Sequence, residues 1–183
     1  MLGLIIFIAV VVLVALYVVA QYNGLVRLRN RVENAWAQID VQLRLRYDLI
    51  PNLVETVKGY ASHEAETLEN VISARQQGVD AAGPNEQAQA ENMITGALGR
   101  LFALSEDYPD LKANENFLNL QEQLTGIEGK IAYARQFYND SVTALHNKIE
   151  TFPSNLIAGP FGFTRREYFE SEGNARGPVE VEF

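Results

Sequence analysis

A chain of 183 residues with a formal net charge of −8 and no cysteine rules out several classes at once. It can build no disulfide framework, thiolate nucleophile or thiolate metal site, and an acid-rich chain is a poor match to a nucleic-acid backbone. Beyond an N-terminal anchor its length suits one domain with a proper core and falls short of two comfortable ones.

Leu2 to Ala20 contains no charged or strongly polar side chain. At about 1.5 Å per residue, those roughly 19 positions reach about 28 Å as a helix, close to the hydrocarbon thickness of a bilayer. One membrane crossing is therefore predicted. A cleaved secretory signal is the rival reading, because Val18 and Ala20 are small enough to suit a signal peptidase. Against it, no basic n-region precedes Leu2, and the run exceeds the usual apolar core of about 7 to 15 residues. Tyr17 and Tyr22 fall near the exit, where amphipathic rings favour the headgroup layer. Arg27, Arg29, Arg31, Arg44 and Arg46 follow, opposed only by Glu33 and Asp40, so this collar is near +3 and the rest of the chain near −11. The positive-inside rule then predicts an inner-membrane protein with its N-terminus outside and its bundle in the cytoplasm. Membrane lipid is the first expected partner, with the collar adding a secondary attraction to an anionic leaflet.

From Leu25 the apolar positions Leu28, Val32, Trp36, Ile39, Leu43, Tyr47, Ile50, Val54, Val57 and Ala61 recur at helical spacing, predicting a long amphipathic helix that continues the anchor. Pro51 costs that helix the bond to the Tyr47 carbonyl, but the stripe keeps its phase on both sides, so the expectation is a kink and not an end. The alternative ends one helix at Ile50 and starts another at Pro51. The stripe is predicted to run on through Leu68, Val71 and Ile72 to about Gln77, with Gly78, Gly83 and Pro84 as the first real break. A second helix is expected over 85–107, stopping before Tyr108-Pro109-Asp110, and a third over 114–152, with Phe117, Leu124, Ile131, Tyr138, Leu145 and Phe152 near heptad spacing and Pro153 at its end. The tail, from Gly159-Pro160-Phe161-Gly162-Phe163 through Tyr168-Phe169 to Val181-Glu182-Phe183, has no helical period.

The predicted fold is all-α. An N-terminal transmembrane helix runs on into a long antiparallel bundle of three to four helices, followed by an irregular C-terminal tail. The divisions are 1–22 for the anchor, 23–153 for the bundle and 154–183 for the tail.

The block Val41-Gln42-Leu43-Arg44-Leu45-Arg46-Tyr47-Asp48-Leu49-Ile50-Pro51-Asn52-Leu53-Val54 resembles the LemA family. So do Gln21-Tyr22-Asn23, Thr56-Val57-Lys58-Gly59-Tyr60-Ala61 with His63-Glu64, Tyr108-Pro109-Asp110-Leu111-Lys112-Ala113-Asn114, and Ala134-Arg135 with Phe137-Tyr138-Asn139. The resemblance covers nearly the whole chain. It implies a short N-terminal segment, one transmembrane helix, a long antiparallel bundle and a scaffold more than any enzyme class. Members of that family are often encoded near membrane zinc peptidases, which suggests an envelope quality-control setting but names no contact; a membrane protease is the partner of the alternative reading. The acidic tail after Glu172 lies outside the family's characteristic motifs.

Chemistry is sparse. His63-Glu64 opens a zincin-like pattern, but Thr67 stands where the second histidine belongs. A di-iron bundle needs Glu-x-x-His pairs, whereas Tyr60 precedes His63 and Thr143 precedes His146 at that spacing. Neither histidine lies near a nucleophile elbow, and Glu64, Glu66 and Glu69 read as a solvated helix face. No catalytic, metal or cofactor-binding residue is predicted, and no cofactor. Arg44, Arg46, Asp48, Pro51 and Asn52 form a candidate packing or partner surface around the kink; the plainer reading is helix support, with Arg44 pairing to Asp40 and Asp48 at four-residue spacing. Asn23, Asn139 and Asn147 fix register if they face the core and are otherwise caps or solvent-facing. Phe161, Phe163, Tyr168 and Phe169 are too aromatic to leave wet, so they cover the bundle's end or enter a neighbouring subunit. Phe183, two positions after Val181, has the spacing a PDZ groove reads, with a frayed end as the plainer alternative. The expected function is a non-enzymatic, single-pass membrane protein whose bundle self-assembles into a homo-oligomeric scaffold. The alternative is an adaptor for a membrane protease or another envelope protein.

Overall fold

A computed structural model describes residues 1–169, and the expectations for Val181 to Phe183 and for the acidic stretch after Glu172 lie outside them. The described chain is all-α. It consists of α1 (Leu2–Lys58), α2 (Ala65–Asp80), α3 (Pro84–Leu104), a 3-10 turn (Ser105–Asp107), α4 (Pro109–Lys112), α5 (Glu115–Glu150) and α6 (Asn155–Ala158). Two compact units emerge. The first joins Met1–Val41 to Ala132–Glu167, and the second holds Gln42–Ile131 with Tyr168 and Phe169 among the described residues.

In the first unit the apolar run and the start of the bundle are one helix. Leu2 to Tyr17 are exposed throughout, as an anchor facing lipid must be, and burial begins at Leu25. Val32, Ala35 and Ile39 then turn one face of α1 inward, and Tyr138, Val142 and Leu145 do the same for α5. The two helices run antiparallel here. Trp36 meets the Tyr138 ring at 5.6 Å, the Arg31 guanidinium lies 5.1 Å from the centre of the Phe137 ring, and Gly24 faces the Lys148 stem.

In the second unit α1 continues through Pro51 without ending, contrary to the reading that starts a new helix there. Proline at 51 leaves the carbonyl of Tyr47 without its helical donor, and Arg75 Nε–H of α2 takes the place of that donor at 2.8 Å. A local defect in one helix thus becomes the docking point of another. α1 does end at Lys58, well before the expected break near Gly78. The amides of Tyr60 and Ala61 both turn back to the Val57 carbonyl, and Ala61 stays buried in the turn, so the stripe hides the break from a periodicity argument. The next buried apolar position is Leu68, inside α2. Ile72, expected on the inner face, is 49% exposed.

The α2–α3 turn requires Gly83, whose φ of +89° favours a residue without a Cβ. Pro84 then sits at the first helical position, where its missing N–H costs nothing, and the Glu86 carboxylate accepts the Ala82 amide at 2.9 Å. Asn114 caps α5 by accepting the Phe117 amide at 3.0 Å. The third predicted helix ends two residues early, and Phe152, placed on its inner stripe from sequence, is 78% exposed beyond it. The tail also contains one turn of helix, α6, which its composition did not suggest.

The Arg75 contact gives a direct test. A charged donor on a partly buried carbonyl contributes about 1.5–3 kcal/mol, so Arg75→Met should lower stability by about that much in urea unfolding of the detergent-solubilised protein. In a Pro51→Ala background, where the restored backbone N–H can itself donate to the Tyr47 carbonyl, the same substitution should cost clearly less. Equal losses in both backgrounds would refute the coupling.

Candidate functional site

The second unit holds a cluster of polar side chains sealed among helices. Arg46 and Glu91 are 2% and 1% exposed, with Tyr47 at 6% and Gln87 at 7%. A buried charge must find an opposite charge or a dense set of hydrogen bonds. The Nη1 of Arg46 donates to Glu91 Oε2 at 2.7 Å, and its Nη2 donates to Thr95 Oγ1 at 3.0 Å. The Tyr47 hydroxyl donates to the other oxygen of Glu91 at 2.5 Å and accepts from Gln87 Nε2 at 2.6 Å. Gln87 Nε2 also reaches the Gly78 carbonyl at 3.2 Å. Thr95 extends the chain of bonds to Glu128 of α5 at 3.3 Å, at the solvent edge.

Helical spacing explains why these residues converge. Arg46 and Tyr47 lie between Leu43 and Ile50 on the inner stripe of α1, and Gln87, Glu91, Ile94 and Leu98 recur at steps of four, three and four along α3. Between them passes Gly78 of α2, where a Cβ would come within 2.6 Å of the Tyr47 hydroxyl oxygen, so a larger residue there must displace the phenol. Burial, then the hydrogen bond and charge of Glu91, raise the Tyr47 pKa far above that of a free phenol; the nearby Arg46 charge only partly offsets them. Tyr47 therefore remains a neutral donor at any physiological pH.

The candidate residues read from sequence separate by place. Arg44, Asp48, Pro51 and Asn52 are exposed on α1 of the second unit. Arg46 is not: its guanidinium is held inside by Glu91, which puts this residue on the packing side of the packing-or-partner alternative. Asp48, with Leu45 and Leu49, borders a shallow groove of about 490 Å³ closed on the other side by Glu122, Gln123, Gly126, Ile127 and Lys130 of α5. Tyr168 is half-buried and Phe169 buried, while Phe183 lies outside the described residues. In the first unit Phe163 is buried and meets Tyr22 edge-on at 5.7 Å, with the Arg29 guanidinium 5.6 Å from its centre. Phe161 meets the same tyrosine at 5.1 Å but remains 56% exposed. Asn23 and Asn147 face solvent, and Asn139 is half-buried.

The histidines have structural surroundings. His63 is exposed in the α1–α2 turn, and His146 is buried, accepting the Arg166 amide at Nε2 at 3.0 Å. Among the described residues no three His, Asp or Glu side chains gather to hold a metal ion. Glu91, Gln87 and Thr95 were missed from sequence. Their signal was available, since a charged residue on the inner stripe of each of two helices implies a buried pair.

A profile of the LemA family matches residues 35–183. The chain belongs to the LemA family. The match begins past the apolar run and takes in the whole Arg46–Glu91 cluster. The chain is 29% identical over 167 residues to Protein LemA of Metamycoplasma hominis, covering 89% of this chain and 75% of that protein. It is 25% identical over 185 residues to Magnetosome protein MamQ 1 of Paramagnetospirillum magneticum and, over the same length, to Magnetosome protein MamQ of Magnetospirillum gryphiswaldense, covering 87% of this chain and 68% of each relative. With its single helix long and apolar enough to cross a membrane among the described residues, this LemA-family chain is a membrane-associated helical protein.

If the cluster is a structural lock, removing one charge should hurt more than removing both. Glu91→Gln strands a buried guanidinium and should cost about 3–5 kcal/mol, whereas Arg46→Met with Glu91→Met should lie near wild type in the same urea titration. Gly78→Ala should cost about 1–3 kcal/mol by overpacking, and less in a Tyr47→Phe background. A double Met variant as unstable as Glu91→Gln would refute the lock.

Proposed function

We propose that this chain is a non-enzymatic, single-pass scaffold whose helical bundle associates with further copies of itself at the membrane. The observation that carries the reading is the sealed cluster. The buried charges of the second unit are committed to one another, with Arg46 and Glu91 shut off from solvent, so they hold helices and offer no surface to a substrate. The groove beside Leu45 supplies the means of association. Leu45 is 47% exposed, Gly126 opens the facing wall, and Glu122, Asp48 and Lys130 ring the apolar floor with both signs of charge. A surface with an apolar centre and a mixed-charge rim has the composition of a protein interface.

The arginines at 27, 29 and 31 support a cytoplasmic bundle with the N-terminus outside, in the inner membrane. The second reading, an adaptor for a membrane protease, would use the same groove for a different helix.

Light scattering of full-length protein, gently extracted with its anchor, tests the proposal. Masses of several chains that fall toward one chain in Leu45→Glu are expected. A single-chain mass at every concentration would overturn self-assembly and favour the adaptor reading, to be pursued by crosslinking in native membranes.

A further inference from the structure

In the first unit, three bulky apolar side chains are exposed on one short segment after α5: Phe152 at 78%, Leu156 at 64% and Phe161 at 56%. Exposed residues of this kind are ordinary when scattered, but these lie at one end of the unit, and that end is where the anchor leaves the membrane. Phe161 and the buried Phe163 both pack edge-on against Tyr22, two residues beyond Ala20, the last of the apolar run. The antiparallel register agrees. Trp36 lies by Tyr138 and Gly24 by Lys148, so continuing four residues past Lys148 brings Phe152 level with the end of that run. Cations surround the same level. Arg27 and Lys148 have no carboxylate partner among the described residues, and Arg29 lies over the Phe163 ring. Arg165 and Arg166 reach Glu150 and Glu33 from exposed positions.

We propose that the segment from Phe152 to Phe161 is a second membrane contact: Phe152, Leu156 and Phe161 lie in the headgroup layer beside the transmembrane helix, and Arg27, Arg29 and Lys148 face the lipid phosphates. The occupant is the bilayer interface and not another protein chain, because the patch continues a surface that lipid already covers. Aromatic side chains favour that layer, and basic ones gain from an anionic leaflet. The contact fixes the rotation and tilt of the first unit about its anchor, since one helix crossing a bilayer leaves rotation free and a second point of immersion removes it.

This second contact rests on the reading of Leu2 to Ala20 as a membrane span, and the test separates the two. The chain has no native cysteine, so single cysteines can carry a nitroxide label without further substitution. Full-length Leu156→Cys, Phe161→Cys, Tyr133→Cys and Val11→Cys are reconstituted in vesicles of phosphatidylcholine with phosphatidylglycerol, and collisions with oxygen and with a water-soluble nickel chelate are compared. Tyr133 is 73% exposed and lies some 20 residues of helix from the membrane end, about 30 Å away. The expected oxygen-to-nickel ratio is highest at 11, several-fold above the Tyr133 value at 156 and 161, and lowest at 133. Ratios at 156 and 161 equal to that at 133, with 11 still deep, overturn the inference and leave the span standing. A water-like ratio at 11 overturns both. Shielding of 156 and 161 from both collision partners, with dipolar broadening between labels, assigns the patch to a second copy of the chain and also overturns it. Using two labelled positions guards against the loss of the Phe161–Tyr22 contact in one of them.

Discussion

A guanidinium shut away from water needs an anion beside it, and in the second unit Arg46 is shut away. That requirement places Glu91 of α3 against α1, and Glu91 in turn needs a second donor, which Tyr47 provides. The phenol so placed leaves room only for glycine where α2 passes, and the residue there is Gly78. One buried charge therefore constrains three helices and the side chains at their closest approach. Replacing a buried ion pair with apolar groups of similar size is often no worse for stability. Its advantage is geometric: apolar stripes can slide past each other by a turn, whereas a charged pair with two further hydrogen bonds, to Thr95 and from Tyr47, has one register.

The proline five residues on works by the same logic. An interior proline frees a carbonyl, and a freed carbonyl near a core must be satisfied. Arg75 satisfies it, so α2 is tied to α1 through the backbone as well as through the cluster. Between Leu43 and Val57 the chain thus combines an apolar stripe, a buried pair and a gap in its helical hydrogen bonds. These features make a well-specified bundle.

The helices themselves were legible. The stripe from Leu25 to Val57, the helix that follows the Gly83-Pro84 break, the stop before Pro109 and the long helix from about residue 114 all follow from local rules, and each is found. Two things were hidden. The break after Lys58 escapes a periodicity argument because Ala61 remains buried inside the turn, so the apolar phase runs across a gap in the helix. The buried cluster escapes a burial argument that assigns Arg and Glu to the surface, although Arg46 and Glu91 both stand on inner stripes. Polar residues on such stripes carry the tertiary pairing, and a single-helix reading cannot supply the partner. Phe163 illustrates the same limit: its aromatic character said that it must be covered, and only the fold shows that Tyr22 and Arg29 cover it.

Both units depend on α1 staying helical from the anchor through Pro51, and the second also on the Arg46 neighbourhood staying dry. Amide hydrogen exchange of the full-length protein in a lipid bilayer tests both together. Protection should persist from the anchor to about Val57, drop across Gly59 to Glu64, and be slowest around Arg46 and Glu91. Rapid exchange over Tyr47 to Val54, or around Glu91, would mean that the helix ends before the proline or that the cluster opens to water, and would contradict the buried lock.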